Sequence, residues 1–431
     1  MRSVKAPWCA VAAGLALFPV CARGAGYSIY EQGAAVLGMA GAGVASVSDP
    51  SAVFFNPAAM SRLDGTQLLV GGTLLNPVTS FAGVAPYPGY GVTEEMERQS
   101  FFPPTIYATH HLSHELALGA GFDSPYGLGV KWKNPDQFTG RYIVTEANLH
   151  NLSTNLSLSY ARGPKWSGGL GLDLVFAKVD LHRREQAVLP GGGGVLVDVA
   201  RVDLNADYKS GWGWNAGLSF APDSDWTLAA TFRSLVVTKP SGDATFTQMP
   251  TGNAVLDAAV AESLPPNQGV SSVIRFPATW SGAAAYRPRP NWTIEADANF
   301  FQWSVFKDLP IYLDQTPSAN QTLVENYKDS WQFRFGTENR LPRFTWRFGY
   351  YYDQQAAPDE SVTPILPDAN RNGLSAGLGF ALGAKKQMTL DFYELAVFVD
   401  TRSTNGVERD GYNGEYKSYV NAAGFGLTYR W

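Results

Sequence analysis

Eight residues near the end of the chain, Gly424 to Trp431, restrict its fold more than any other segment. Phe425, Leu427, Tyr429 and Trp431 alternate with Gly426, Thr428 and Arg430 right up to the carboxylate. A period of two places the first set on one face of a strand and the second on the other. Soluble domains seldom close on an apolar strand, whereas a membrane strand has lipid on one side and a polar lumen on the other. After Ala25 no stretch approaches the roughly 18 apolar residues that a membrane helix needs. A membrane-spanning reading therefore requires a closed barrel, the only alternative that satisfies every backbone group in lipid.

The N-terminus carries a matching address. Arg2 and Lys5 precede an apolar run from Trp8 to Val20, and small residues follow at Ala22 and Gly24. This is the pattern of a secretory signal peptide, residues 1–24, with cleavage before Ala25. Pro19 and Val20 fit poorly as the approach to a lipidated Cys21. Cys9 and Cys21 leave with the leader, so the mature chain is cysteine-free, which suits an oxidising compartment without a disulfide framework. The leader also removes Arg2, Lys5 and Arg23 and no acid, so the formal charge of −5 becomes −8. That balance argues against nucleic acid as a partner.

Fourteen alternating segments follow, near residues 66–81, 101–112, 115–123, 148–162, 166–183, 207–222, 226–238, 274–288, 291–304, 327–341, 343–352, 371–383, 387–400 and 418–431. The fold class is all-β, a 14-stranded antiparallel transmembrane barrel over residues 66–431, with both ends on the periplasmic side. Trp292, Ile294, Ala296, Ala298 and Phe300 would face lipid, and Thr293, Glu295, Asp297 and Asn299 the lumen. Leu152, Leu156, Leu158 and Tyr160 alternate in the same way with Ser153, Asn155, Ser157 and Ser159. Arg334 and Glu338 would face Arg347 and Tyr351 across neighbouring strands, either as a structural charge ladder or as a polar handle for a ligand.

Turn spacing orients the barrel. Short links at Gly163-Pro164-Lys165, 222–225 and 287–290 read as periplasmic, and the long connections 124–147, 184–206, 239–273, 305–326 and 353–370 as extracellular. Two of these loops carry apolar residues: Leu196 behind a glycine run, and Leu256, Val260 and Leu264 at helical spacing. Such residues either pack on each other as a lid or receive a hydrophobic solute.

Residues 25–65 fit no strand. Asp49-Pro50 and Asn56-Pro57 each set a capping side chain before a proline suited to a first helical turn. Phe54, Phe55 and Met60 need cover from water. A plug, or hatch, inside the lumen supplies it, with Asn56, Pro57 and Ala58 as its marker.

At this point the chain resembles the FadL family of outer-membrane transporters for hydrophobic compounds, along its whole mature length. The matching residues are Asn56-Pro57-Ala58, Gly140-Arg141-Tyr142 leading to Thr145-Glu146-Ala147, Pro277-Ala278-Thr279-Trp280-Ser281, Asn291-Trp292-Thr293 with Trp303-Ser304, Lys328-Asp329-Ser330-Trp331-Gln332, and Leu366-Pro367-Asp368-Ala369-Asn370-Arg371. The resemblance implies capture on extracellular loops (Leu196, Leu256, Val260, Leu264), a lumenal site touching the hatch, and sideways release beside a kinked third strand. The kink would lie at Pro125, Gly127 and Gly129, where proline removes a ladder donor and glycine permits a bulge; the same residues also suit a simple strand end.

Arg141, Arg334 and Arg347, with Glu295 and Asp297, are the lumenal polar candidates, an arginine being the natural anchor for a carboxylate. Long-chain fatty acid is the expected cargo, passively carried, and monoaromatic hydrocarbon the alternative. The expected location is the outer membrane of a Gram-negative bacterium, in contact with its lipid and lipopolysaccharide, as a monomer without cofactor or metal. An aromatic last strand also resembles the signal read by the barrel-assembly machinery. A lipid hydrolase, an adhesin and a general porin are the rival classes. No Gly-x-Ser-x-Gly elbow supports the hydrolase. His110, His111 and His114 have only Glu115 beside them, and Gly191 to Gly194 lacks the Gly-Lys of a P-loop.

Overall fold

The computed structural model describes residues 26–431, so the leader, its cleavage point and both cysteines lie outside the described residues. The barrel strands are β1 (Thr66–Gly83), β2 (Pro104–His111), β3 (Leu116–Asp123, resuming at Gly127–Lys131), β4 (Glu146–Arg162), β5 (Trp166–Val188), β6 (Leu196–Phe220) and β7 (Trp226–Arg233). They continue as β8 (Thr279–Arg289), β9 (Trp292–Phe301), β10 (Ser330–Arg340), β11 (Phe344–Asp353), β12 (Arg371–Leu382), β13 (Met388–Val399) and β14 (Gly414–Arg430). Each pairs antiparallel with its neighbour, and β14 returns to β1 from Gly83↔Gly414 to Gln67↔Arg430, which closes the barrel. No helix is long and apolar enough to cross a membrane among the described residues.

The alternation is seen directly. On β9, Thr293, Glu295, Asp297 and Asn299 are buried while Ile294 is exposed; on β4, Ser153, Asn155, Ser157 and Ser159 are buried while Leu156, Leu158 and Tyr160 are exposed. Two aromatic girdles bound the lipid-facing band. Trp166–Phe220, Trp226–Tyr286 and Tyr429–Trp431 pair at the end with short turns, and Trp214–Phe232, Phe232–Trp280 and Phe300–Trp331 at the other.

Several stretches differ from the sequence expectation; among the long connections, 239–273 holds strands at Ser241–Gln248 and Gln268–Ser272, and 305–326 at Asp308–Leu313 and Gln321–Val324. The span 184–206 is largely strand: β5 runs on to Val188 and β6 starts at Leu196, leaving a turn that holds the glycine run. This ribbon stands above the membrane, so it lacks the lipid-and-lumen alternation that reveals the other strands. The segment 226–238 breaks after Arg233, and Val236–Thr238 pairs instead with Ile274–Phe276 as a separate ribbon. Val236, Ile274 and Phe276 are buried there in a cluster with Tyr27 and Trp303. Burying this apolar ribbon outweighs continuing the ladder.

The hatch comprises α1 (Ala34–Leu37), α2 (Ala52–Phe55) and a 3-10 turn, Pro57–Arg62. The Asn56 side chain accepts the N–H of Ala58 at 3.0 Å, and that of Asp49 accepts the N–H of Ser51 at 2.8 Å, as the two Xaa-Pro signals require. Leu37, Val53, Phe55 and Met60 are buried in a cluster with Leu69, Tyr107 and Leu395 of the wall. Glycines in the wall let the hatch backbone approach: a Cβ at Gly377 would lie 2.6 Å from the Cα of Gly38.

Candidate transport site

The lumenal polar residues hold the hatch by its backbone. Asp297 accepts the N–H groups of Gly43 at 2.9 Å and Val44 at 3.2 Å, and Glu295 that of Ala45 at 2.6 Å. Arg334 donates to the Ala40 carbonyl and, at 2.7 Å, to Gln332, and lies 3.9 Å from the centre of the Tyr30 ring. Asn56 donates to the Val44 carbonyl at 2.8 Å and to Ser219 at 3.0 Å. Arg233 bridges Asp173 (2.7 Å) and the Phe54 carbonyl (3.2 Å). Phe55 packs edge-on against Phe54 and Tyr30. Pro57 and Ala58 are buried against the wall at Gly169 and Gly217, where a side chain would collide with them.

Arg347 is committed elsewhere. It donates to Glu338 and Asp391, each at 2.7 Å, as a buried triad on β10, β11 and β13 that leaves no donor facing the cavity described below. Arg141 is not lumenal. It sits in the connection between β3 and β4, where its Nε meets Asp198 at 2.8 Å and Nη1 donates to the Phe138 carbonyl. Its motif lies beyond the barrel wall, so the alternation rule for lumen and lipid does not apply to it.

A cavity of about 480 Å³ lies between the hatch segment starting at Gly26 and the wall of β1, β3, β4 and β13. Leu75, Leu128, Leu149, Val397 and Val420 make it apolar. Arg371, at the start of β12, is the one guanidinium among its lining residues. Its Nη2 donates to the Gly26 carbonyl at 2.9 Å and lies 3.5 Å from Asp368, which in turn accepts the Gly26 N–H at 3.2 Å. Sequence reasoning passed over Arg371 as part of a matching motif. The available signal was a strand-initial arginine three residues after an acid.

The cavity is bordered by both faces of β4 beside the interruption of β3. The ladder between β2 and β3 covers Ile106↔Phe122 to His111↔Ala117 and does not extend to the Gly127–Lys131 half of β3, which pairs with β4 and, at its end, accepts the Glu97 N–H at the Lys131 carbonyl at 2.7 Å. Inward-facing Asn151 and outward-facing His150 line the same space. Pro125 takes part in the break: its carbonyl accepts the Ile29 N–H at 2.8 Å, and the Gly127 N–H donates to the Tyr27 carbonyl at 3.0 Å, so the hatch edge patches the interrupted strand. Phe101 joins β1 by a single bridge to Leu75, and its ring lies against Gly129 with no room for a Cβ. A Cβ at Gly127 would lie 2.6 Å from Cδ1 of Ile29.

Outside the membrane, α3 (Ala254–Ser263) is capped by Asn253, whose side chain accepts from Val255 and Leu256 at 3.1 Å. Leu256 and Val260 pack on Val199 with Ala187, Leu189 and Val197. Leu196 stays exposed at the ribbon tip and Leu264 is half-buried at the helix end. Of the histidines near the periplasmic turn, His110 bonds Thr66 at 2.7 Å and His111 the Met60 carbonyl at 3.2 Å.

Residues 15–431 match the profile of the family described as outer membrane protein transport protein (OMPP1/FadL/TodX). The long-chain fatty acid transport protein of Escherichia coli O6:H1 is 26% identical over 394 residues, covering 86% of this chain and 87% of that one. The 47 kDa outer membrane protein of Pasteurella multocida is 26% identical and 97% of each chain is covered. The solved structure of a Pseudomonas aeruginosa FadL homologue superposes with a TM-score of 0.82 at 20% identity, over 94% of this chain and 100% of the other. The Pseudomonas putida toluene transporter TodX gives 0.76 at 17% identity, over 94% and 99%. With a closed fourteen-stranded barrel, a hatch in its lumen and a profile match over nearly its whole length, the chain belongs to the OMPP1/FadL/TodX family and is an outer-membrane transporter of hydrophobic compounds, not an enzyme.

Proposed function

We propose that this transporter carries long-chain fatty acids. The observation that carries the reading is the cavity at the hatch: a wall of Leu75, Leu128, Leu149, Val397 and Val420, with Arg371 as the one guanidinium among its lining residues. An acyl chain would fill the apolar part and its carboxylate would meet Arg371, a charge-assisted pairing that water-excluding walls strengthen. The name of the Escherichia coli relative, long-chain fatty acid transport protein, points the same way.

Capture would begin on the exposed Leu196 and the α3 surface, and release would run sideways past Pro125, Gly127 and Gly129. Each buried methylene is worth about 0.8 kcal/mol, so leaving the cavity for water is steeply uphill while leaving for lipid is nearly neutral. Such transport needs no nucleotide or ion, only consumption of the cargo downstream.

A second reading, uptake of uncharged monoaromatic compounds, is favoured by the acids around Arg371. Asp368 lies 3.5 Å away and Glu31 also reaches the cavity, so that cation is partly answered already. Uptake of labelled oleate, and separately of toluene, by a bacterium stripped of its own transporter of this type and expressing this chain tests the choice. Oleate uptake supports the first reading; toluene uptake alone replaces it with the second.

A further inference from the structure

Charge is distributed unevenly along the barrel axis. At the end with the long loops, cations are answered by acids: Lys131 lies 3.4 Å from Glu97, Lys133 2.6 Å from Glu95, Lys178 3.3 Å from Asp180 and Arg275 3.0 Å from Asp308. At the short-turn end the pattern reverses. The β4–β5 turn carries Arg162 and Lys165, the β8–β9 turn Arg289, the β10–β11 turn Arg343 and the β12–β13 turn Lys385 and Lys386, with no Asp or Glu in residues 162–166, 289–292, 340–344 or 382–388. All six cations are exposed, and none has a carboxylate within 4.0 Å among the described residues. The acids of this end sit elsewhere: Asp223 accepts the N–H groups of Asp225 and Trp226, each at 2.9 Å, Glu115 accepts the Tyr160 hydroxyl at 3.1 Å, and Asp64 precedes β1.

Two of these arginines stand at the height of the aromatic girdle on the lipid side. Residues directly opposite each other in an antiparallel ladder share a face, and Arg162 pairs with Trp166 and Arg289 with Trp292. Trp166 is exposed and stacks on Phe220, and Trp292 alternates in phase with the exposed Ile294. A guanidinium placed there lays its stem along the girdle and sets its charge in the head-group layer. The β8–β9, β10–β11 and β12–β13 turns are consecutive around the barrel, so Arg289, Arg343, Lys385 and Lys386 form one arc over six neighbouring strands.

We propose that this arc, with Arg162 and Lys165 as a second station, binds the phosphate head groups of anionic phospholipid in the leaflet that meets the short turns. The chain without its leader is acidic overall, so the attraction belongs to this rim and not to the net charge of the molecule, and it is screened by salt. A lipid surface suits the arrangement better than a soluble acidic partner, because the cations follow the circumference at girdle height instead of gathering on one flank. Cationic side chains next to indoles also fix the depth at which the barrel sits, the indoles holding the apolar boundary and the charges the head groups.

The test is the association of spin-labelled phosphatidylglycerol, against spin-labelled phosphatidylethanolamine, with the full barrel reconstituted in phosphatidylethanolamine bilayers. Wild type is compared with a variant carrying Arg289→Gln, Arg343→Gln, Lys385→Gln and Lys386→Gln. At low salt the wild type is expected to favour phosphatidylglycerol about fivefold, and the variant to lose most of that preference. Equal association of the two lipids with the wild type, or an undiminished preference in the variant, overturns the proposal. If the wild type shows no lipid preference but binds polyglutamate, and the variant does not, an acidic soluble partner replaces the lipid. Should the fourfold variant fail to insert, Lys385→Gln with Lys386→Gln, confined to one exposed turn, carries the same comparison: a reduced preference supports the proposal and an unchanged one overturns it.

Discussion

Asp297 grips Gly43 through the backbone, accepting its N–H at 2.9 Å with the same oxygen that accepts the Val44 N–H at 3.2 Å. A carboxylate that reads as lumen-lining and free for a ligand is thus occupied by the protein's own hatch. Glu295 and Arg334 are occupied in the same manner, so the inner wall around β9 and β10 is a socket for the plug.

Asp297→Ala removes two charge-assisted bonds and leaves two hatch N–H groups without partners, a loss of about 2–4 kcal/mol locally. The barrel is expected to assemble normally while the hatch loosens. Entry of small hydrophilic solutes into liposomes carrying the variant should rise several-fold, and residues 38–47 should become accessible to protease. An unchanged leak rate would mean that the plug is held by its apolar face alone.

Arg347→Met leaves Asp391 buried without its cation and Glu338 held by Arg340 alone, a cost of about 3–5 kcal/mol. The folded fraction, read by heat-modifiable gel mobility, is expected to drop, and binding of every cargo to drop in proportion to it. A selective loss of oleate binding in well-folded protein would return Arg347 to the ligand site.

Phe101→Ala clears the ring that lies against Gly129 at the interruption of the wall. Cargo bound at the hatch is expected to reach surrounding lipid several-fold faster, measured as transfer of a fluorescent acyl probe from the barrel into the bilayer of the same nanodisc. An unchanged rate would locate the exit elsewhere.

Glu408 sits in the loop between β13 and β14, where its carboxylate accepts the Tyr412 N–H at 2.7 Å. Burial pushes it up to about 7, against the pull of backbone donors at Asp410 and Tyr412. Since the folded value exceeds the ordinary one of about 4.3, the loop is most stable below that ordinary value and loses stability as pH rises through about 7. Hydrogen exchange over 401–413, corrected for intrinsic rates, should show more frequent opening at pH 8 than at pH 5, and Glu408→Gln should flatten the difference.

The membrane-embedded part of this molecule was readable from sequence because lipid on one side and hatch on the other force a strict alternation, as on β4 and β9. Asn56-Pro57 announced its turn for an equally local reason, a cap ahead of a residue with fixed φ. What stayed hidden depends on partners distant in sequence. Arg141 looks like Arg334 in isolation, and only Asp198 on a ribbon above the membrane separates them. Arg371 and Phe101 gain their positions from contacts with Gly26 and Gly129, which no periodicity encodes. The inward ribbon at Val236–Thr238 looks like more strand until the aromatic cluster it joins is in view.

The most direct test of the account is the affinity of purified barrel for oleate in the wild type and in Arg371→Gln, with toluene as internal control. Loss of a charged hydrogen-bond partner should weaken oleate binding about 10- to 100-fold and leave toluene binding unchanged. Equal affinities in the two proteins, or an equal loss for both ligands, would contradict the assignment of the fatty-acid head group to Arg371.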